Sequence, residues 1–286
     1  RISIFFKLSK EEAEFWNVVY KKGLGEFLYR NKLRPDRLAK FSYAKKQAEP
    51  FRISTNSDIL LGIGGGKDSI VALELLKNFK VSLFSVETGR CDLISEKIIK
   101  RSCKLSFTIS RILDPKIFKE YQGAYNGHIP ISAVFAFLGI LSAYLYEHQY
   151  VVVGNEYSSN FGNMKYENEV INHQWSKSAE FEFLFQEYAR KFITPDIVYF
   201  SLLRQFHEIR IAKMFAKHKE YFSLFSSCNK NFRVFKLRPH SLWCGECPKC
   251  VFVFLILSPF LEKDELLKIF GKNILNDPAL LPLFKD

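Results

Sequence analysis

Residues 59–77 read ILLGIGGGKDSIVALELLK. An apolar run enters three consecutive glycines, Gly64, Gly65 and Gly66; Lys67, Asp68 and Ser69 follow, and apolar residues then recur at helical spacing. A short apolar run bounded by glycine reads as a buried strand of a parallel sheet, and the repeat beyond it as a helix. A glycine-rich turn between the two reads as a phosphate site, because glycines let backbone N–H groups approach phosphate oxygens and the helix N-terminus adds its dipole. An ordinary tight strand-to-helix turn is the plainer alternative.

The same alternation extends outward. Strands are expected over 58–63, 80–86, 104–109 and 150–154, and helices over 69–78, 94–102, 115–121 and 131–147, which predicts an α/β fold with a doubly wound parallel sheet. Residues 9–48 read as amphipathic and helical, so 1–50 is expected to be a helical N-terminal extension and 51–222 the α/β domain. Residues 155–178 are rich in Asn, Ser, Gly and Glu and follow the last of these strands, where ligands bind in such sheets. Further helices are expected over 178–191, 206–218, 249–260 and 263–270. Residues 223–286 carry a cysteine cluster and the C-terminal helices.

Composition sets the outer limits. The 286 residues are 48% hydrophobic, 25% charged and 16% aromatic, which supports a sizeable core and excludes disorder. The net charge is +12, and residues 1–50 hold twelve Lys/Arg against six Asp/Glu. That balance suits an anionic partner such as a nucleotide, a nucleic acid or an anionic glycan, and a solvated helix surface explains it equally well. Residues 129–146 carry no charge and are long enough to be weighed as a membrane span. Pro130, Ser132, Gly139 and Ser142 interrupt them and a second apolar run follows at once, so a helix buried against a sheet is expected. The chain begins at Arg1 with no secretory pattern, so a cytoplasmic protein with reduced thiols is expected.

Three phosphate-loop patterns compete at 64–69. The dinucleotide pattern fails because Ser69 stands where its third glycine belongs. Walker A fails twice: Leu61 replaces its first glycine, and Asp68 stands where a hydroxyl should meet Mg²⁺. The run Gly65-Gly66-Lys67-Asp68-Ser69, with Gly64 before it, resembles the pyrophosphate loop of the ATP pyrophosphatase (PP-loop) group, whose fold is adenine nucleotide alpha hydrolase-like. That resemblance implies cleavage of ATP between its α and β phosphates, leaving an adenylate. Asp68 would repel phosphate directly and is expected to hold Mg²⁺. Ser69 is expected to cap the helix and donate to phosphate, and Lys67 to supply a point charge.

Cys244-Gly-Glu-Cys247-Pro-Lys-Cys250, with Cys228 upstream, has metal-ligand spacing. Gly245 and Pro248 permit the tight turn, and four thiolates suit a structural tetrahedral zinc; an iron–sulfur cluster is the rival and an unmetallated cluster the plain alternative. A similar four-cysteine zinc cluster lies near the C-terminus of the PP-loop nitrile synthase that makes a deazaguanine base.

Three polar stretches remain: YNGHIP at 125–130, GNEYSSN at 154–160 and NHQWSKS at 172–178. Together with GGGKDS, SSCN at 226–229, WCGECPKC at 243–250, GLGEFLYRN at 23–31 and YFSLLR at 199–204, they resemble the UDP-N-acetylmuramoyl-L-alanyl-L-glutamate epimerase family of peptidoglycan synthesis. The resemblance runs from about residue 11 to 284. It implies ATP-dependent inversion of the terminal L-Glu of UDP-MurNAc-L-Ala-L-Glu through an acyl-adenylate, with AMP and PPi as products. ATP, Mg²⁺ and a structural Zn²⁺ are the implied cofactors. The implied partner is a small molecule, with neither membrane insertion nor nucleic-acid binding expected. The alternative is an RNA- or nucleobase-modifying enzyme that adenylates a base carbonyl before sulfur or nitrogen transfer.

Roles follow as expectations. His128 and His173 stand in polar motifs and are proton-transfer candidates, or else structural hydrogen-bonding histidines. Glu156 could hold Mg²⁺ or act as a base, or could be the buried partner of a cation. Lys177 and Arg204 could pair with substrate carboxylates or phosphates, or be solvated or structural charges. Asn126, Asn155, Asn160 and Asn172 are candidate substrate ligands, the alternative being turn formation. Cys91 and Cys103 could act as a thiol pair, but packing roles are expected. Trp175 and Trp243 are also expected to pack.

Overall fold

In the computed structural model, residues 7–45, 49–87, 93–119, 121–162, 164–167, 169–232 and 241–284 are described. A five-stranded sheet has the order β3-β2-β1-β4-β7, with β1 Asn56–Gly62, β2 Val81–Glu87, β3 Ser106–Ser110, β4 His148–Val153 and β7 Val198–Ser201. A separate antiparallel pair joins β5 Met164–Tyr166 to β6 Glu169–Ile171. The expected α/β class is met. The chain divides within β1 into two compact units, Arg1–Leu60 with Glu120–Arg204, and Leu61–Lys119 with Gln205–Asp286.

In the first unit, α1 Lys10–Gly23 opens with a capping box: the Glu12 amide donates to Ser9 Oγ while Glu12 Oε2 accepts from the Ser9 amide. The short α2 Gly25–Arg30 follows. The expected helix over 9–48 stops here: Lys32 takes a positive φ of 53°, Pro35 opens a single 3-10 turn, and the described residues beyond are irregular. α5 Ile131–Leu145 packs against β4, and α6 Ala179–Phe192 against β7. Phe181 and Phe185 of α6 are fully buried, and Phe185 meets Tyr199 of β7 edge to face at 5.0 Å. β4 and β7 run parallel, with Tyr150 opposite Val198 and Val153 opposite Ser201. Among the described residues no helix is long and apolar enough to cross a membrane.

In the second unit, β2 and β3 run parallel, with Leu83 opposite Ser106. α3 Lys67–Leu75 packs against α7 Glu208–Phe215, α7 against α8 Pro248–Leu257, and α8 against α9 Lys263–Phe270. Between β2 and β3 lies α4 Leu93–Ser102. Ile70, Leu83, Ile98, Ile211, Phe215 and Leu257 are fully buried and form this core. The helix expected over 115–121 is a single 3-10 turn at Pro115–Phe118. Cys103 follows α4 with φ +53° and an exposed thiol, which corrects its expected packing role. Cys91 lies outside the described residues.

Candidate functional site

The glycine loop leaves the carboxyl end of β1 and enters α3. Gly65 has φ +85°, a conformation that favours glycine, and a Cβ there would stand 2.8 Å from Ile94 Cγ2. Gly66 is the N-cap of α3 with φ −90° and ψ 169°, and a Cβ on it would stand 2.9 Å from Ser227 Oγ. Gly64 has open space around its Cα. The expectation that Ser69 caps the helix is corrected: Ser69 lies inside the first turn, is buried, and its hydroxyl donates to the Gly66 carbonyl at 3.0 Å. Lys67 is only 3% exposed and its ammonium pairs with Asp68 Oδ1. Burying a lysine costs heavily unless the charge is paired, and the adjacent carboxylate supplies that pairing.

The cysteine segment belongs to the same unit and touches this loop. The Ser226 amide donates to the Gly65 carbonyl at 3.0 Å. Ser226 Oγ accepts from the Cys228 amide at 3.1 Å and donates to the Leu242 carbonyl at 2.6 Å. Sγ separations are 3.7 Å for Cys244–Cys250, 3.5 Å for Cys247–Cys250 and 3.9 Å for Cys247–Cys228, and all four donor atoms lie within 4.8 Å of one another. A tetrahedron with metal–sulfur bonds of about 2.3 Å has edges of about 3.8 Å, so this donor set could hold one metal ion. The turn depends on Gly245, whose φ is +70° and whose Cβ would stand 2.6 Å from Lys272 Cε. Pro248 occupies the first turn of α8, where its missing N–H costs nothing. The thiols perturb one another: Cys228, then Cys250, drive the Cys247 thiol well down, while Cys228, then Cys247, push the Cys250 thiol up. Trp243 packs against Phe225 and Phe270 with centroids at 5.1 and 4.7 Å, as expected of a packing residue.

The polar motifs lie in the first unit. GNEYSSN leaves the carboxyl end of β4, NHQWSKS leads into α6, and Arg204 follows β7. Arg204 ties them together. Nη1 donates to the Glu156 carbonyl at 3.0 Å and Ser159 Oγ at 2.9 Å; Nη2 donates to the Lys177 carbonyl at 2.6 Å, Glu182 Oε2 at 2.8 Å and Ser201 Oγ at 3.1 Å. Both terminal nitrogens of the guanidinium are thus engaged within the protein, in keeping with the structural-charge alternative, while among the described residues its buried Nε has no hydrogen-bond partner. Glu182, on α6, is the buried carboxylate of this pair and was not singled out from sequence.

The asparagines divide similarly. Asn160 Oδ1 accepts from the Ala179 amide at 2.7 Å, and Asn172 both donates to the Ser159 carbonyl at 2.7 Å and accepts from the Gln174 amide at 2.8 Å. The Asn172–Gln174 contact forms a local Asx turn, whereas the Asn160–Ala179 and Asn172–Ser159 bonds join the two motif loops. Asn155 Nδ2 donates to Ser201 Oγ at 3.0 Å. Asn126 is exposed, and its carbonyl accepts from Asn31 Nδ2 at 3.1 Å. His128 is half-exposed, with Nδ1 3.9 Å from Glu26 Oε2. His173 Nε2 lies 3.3 Å from Gln174 Nε2. Lys177 is half-buried. The Glu156 side chain is buried, and no hydrogen bond or ion pair to its carboxylate is found among the described residues. Trp175 is buried, donates to Glu180 Oε2 at 2.8 Å and meets Phe181 edge to face, as expected of a packing residue.

Residues 1–202 match the MurL N-terminal domain and residues 224–286 the MurL C-terminal domain. The chain is 40% identical over 274 residues to the UDP-N-acetyl-alpha-D-muramoyl-L-alanyl-L-glutamate epimerase of Xanthomonas oryzae pv. oryzae, covering 95% of this chain and 60% of that protein. It is 35% identical over 285 residues to the enzyme of the same name from a Micromonospora strain, covering 98% of this chain and 62% of that one. The corresponding enzyme of Salinispora tropica is 38% identical over 279 residues, with 94% and 59% covered. The chain thus spans about three fifths of the length of these relatives. Among solved structures, the U34-tRNA thiolase NcsA of Methanococcus maripaludis overlaps 81% of this chain and 70% of its own at 13% identity, with a TM-score of 0.37. A predicted tRNA methyltransferase subunit of Methanocaldococcus jannaschii overlaps 56% and 75% at 18% identity, with a TM-score of 0.32. Both are distant overlaps and bear on neither substrate nor reaction. The two domain matches together take in both compact units, and the chain belongs to the MurL family.

Proposed function

We propose that the protein is an ATP-dependent epimerase that inverts the terminal L-Glu of UDP-MurNAc-L-Ala-L-Glu in peptidoglycan precursor synthesis. The observation that carries this reading is the intact glycine loop, with Gly65 at φ +85° ahead of α3, in a chain of this family. The chemistry supplies a reason for ATP. An α-proton beside a carboxylate is very weakly acidic, because its removal adds negative charge beside negative charge. Attack of the glutamyl carboxylate on the α-phosphorus forms an acyl-adenylate and expels PPi. The activated carbonyl then accepts the enolate charge, a side-chain base removes the α-proton, and a proton returns on the opposite face. Hydrolysis of the acyl-adenylate gives the carboxylate and AMP and draws the reaction forward.

Roles divide by chemistry. The amides at Gly65 and Gly66 and the start of α3 receive phosphate, with Ser69 in that first turn. Asp68 would hold Mg²⁺, which would offset phosphate charge, and the Lys67 ammonium beside it would meet phosphate. Glu156 is favoured for proton transfer or for holding a cation, because its side chain is buried at the carboxyl end of β4 with no hydrogen bond or ion pair to its carboxylate among the described residues. His128 and His173 remain candidates for the second proton position. Asn126, Asn155 and Lys177 are proposed to meet the substrate. Arg204, Asn160 and Asn172 serve it by holding the two motif loops.

Zinc is the proposed metal for Cys228, Cys244, Cys247 and Cys250. A four-iron cluster carries inorganic sulfide between its irons and needs its cysteine sulfurs spread farther apart than the 4.8 Å limit found here. Bound zinc would supply structural cross-linking and no redox chemistry.

The experiment is PPi release from ATP·Mg²⁺ with UDP-MurNAc-L-Ala-L-Glu, with UDP-MurNAc-L-Ala, or with bulk tRNA. Release with the glutamyl substrate alone is expected. Release with tRNA alone would replace this reading with RNA modification.

A further inference from the structure

We propose that Ser227 is a further phosphate ligand of the nucleotide site, delivered to the glycine loop by the cysteine-bearing segment. The inference rests on reading 64–69 as a nucleotide loop, and goes beyond it by assigning a residue distant in sequence and outside the loop motif.

The geometry is local to one unit. Ser227 Oγ stands 2.9 Å from the position a Cβ on Gly66 would take. The space beside the α3 N-cap is thus left to a hydroxyl from another segment. Any larger residue at 66 would force that hydroxyl to shift or turn away. Ser227 is half-buried, and among the described residues no hydrogen bond engages its hydroxyl. Its neighbours are all fixed. The Ser226 amide is bonded to Gly65, Ser226 Oγ is bonded to Leu242 and Cys228, and Cys228 is a fully buried member of the four-sulfur set. Asn231 adds a further tie from this segment to the Leu242 carbonyl. A hydroxyl on a backbone fixed at both neighbours, beside the first amides of a helix and with its donor unspent, is suited to a phosphate oxygen.

The arrangement also gives the four-cysteine set a purpose beyond stability. A metal on Cys228 would fix the backbone one residue from Ser227, so the cross-link would position a ligand as well as a turn.

The test is binding of ATP·Mg²⁺ and of inorganic pyrophosphate, measured calorimetrically on the full chain as wild type, Ser227→Ala and the exposed control Ser223→Ala, with metal content and melting temperature recorded for each. Ser227→Ala should weaken both ligands roughly ten- to hundredfold, the range for losing one hydrogen bond to a charged group, with metal content unchanged. Ser223→Ala should match wild type. Ser227→Thr and Ser227→Val are near-isosteric and differ in the hydroxyl, so they decide the matter if the alanine variant does not fold: Thr should retain binding and Val should lose it. Wild-type affinity in Ser227→Ala, or equal affinity in the Thr and Val variants, overturns the inference. Absence of ATP binding by wild type would instead overturn the nucleotide-loop reading beneath it.

Discussion

The Ser226 amide donates to the Gly65 carbonyl at 3.0 Å, so a residue of the cysteine segment is bonded to the one loop glycine with a positive φ. The bond joins a chemical motif to a structural one across more than a hundred and fifty residues of sequence. It puts the cysteine segment in direct contact with the glycine loop.

Metal removal should therefore do more than lower stability. Chelation, or Cys247→Ser, is expected to lower the melting temperature and also to weaken ATP binding. Elemental analysis of the untreated protein should find one zinc per chain, and its solutions should be colourless. A brown protein containing iron would contradict the zinc assignment. An ATP affinity unchanged by complete metal loss would contradict the link to the loop.

The three loop glycines should not be equivalent. Gly64→Ala meets open space and should leave ATP affinity within about twofold of wild type, corresponding to under about 0.5 kcal/mol. Gly65→Ala is forced into φ +85° and against Ile94, which should cost about 1–2 kcal/mol from backbone strain alone and disturb the loop. Melting curves and ATP titrations of the two variants, compared side by side, check the contrast.

Arg204 should behave as a positioning residue. Arg204→Ala leaves Glu182 buried and unpaired and releases Ser159, Ser201 and two carbonyls, at an expected cost of about 3–5 kcal/mol. Arg204→Lys keeps the charge but cannot reproduce the forked contacts, so it should recover only part of that loss. Chemical denaturation measures both. If Arg204 met substrate instead, stability would be nearly unchanged while KM rose.

Much of this was legible in the sequence because it was local. The glycine loop, its strand and its helix are contiguous, and the cysteine spacing dictates a tight turn. Other features were not local. β7 is only four residues long, Val198–Ser201, too short for an alternating pattern to stand out from the helix and loop beside it. The helical reading of 9–48 ran on past Arg30 because amphipathic spacing continued while Lys32 and Pro35 broke the backbone. Arg204 was seen as a charge near polar motifs. Its partners come from four separate stretches, and only the fold shows that they exhaust its donors at Nη1 and Nη2. Ser227 had no signal beyond its place before Cys228.

Acid should loosen the first unit through two carboxylates. Asp196 titrates below its ordinary value because the Ile53 amide donates to it and Arg52 pairs with it. Glu180 is also held down: burial opposes this, but hydrogen bonds from Lys22 and Trp175 prevail. A depressed folded pKa contributes stability above the unfolded value of about 4, and that contribution is lost as pH falls through the folded value. Denaturation midpoints should thus drop on the acid side of about pH 4, and Asp196→Asn should flatten that drop. An identical acid limb in the variant would remove Asp196 from the account.

The central claim is that a glutamyl carboxylate is activated so that its α-proton can leave. Incubation of the protein with UDP-MurNAc-L-Ala-L-Glu and ATP·Mg²⁺ in deuterated water, followed by mass spectrometry and chiral analysis of the released glutamate, tests it directly. Deuterium at the α-position of D-Glu, dependent on ATP and abolished by Asp68→Ala, is the predicted result. D-Glu formed without α-deuterium, or formed equally without ATP, would contradict it.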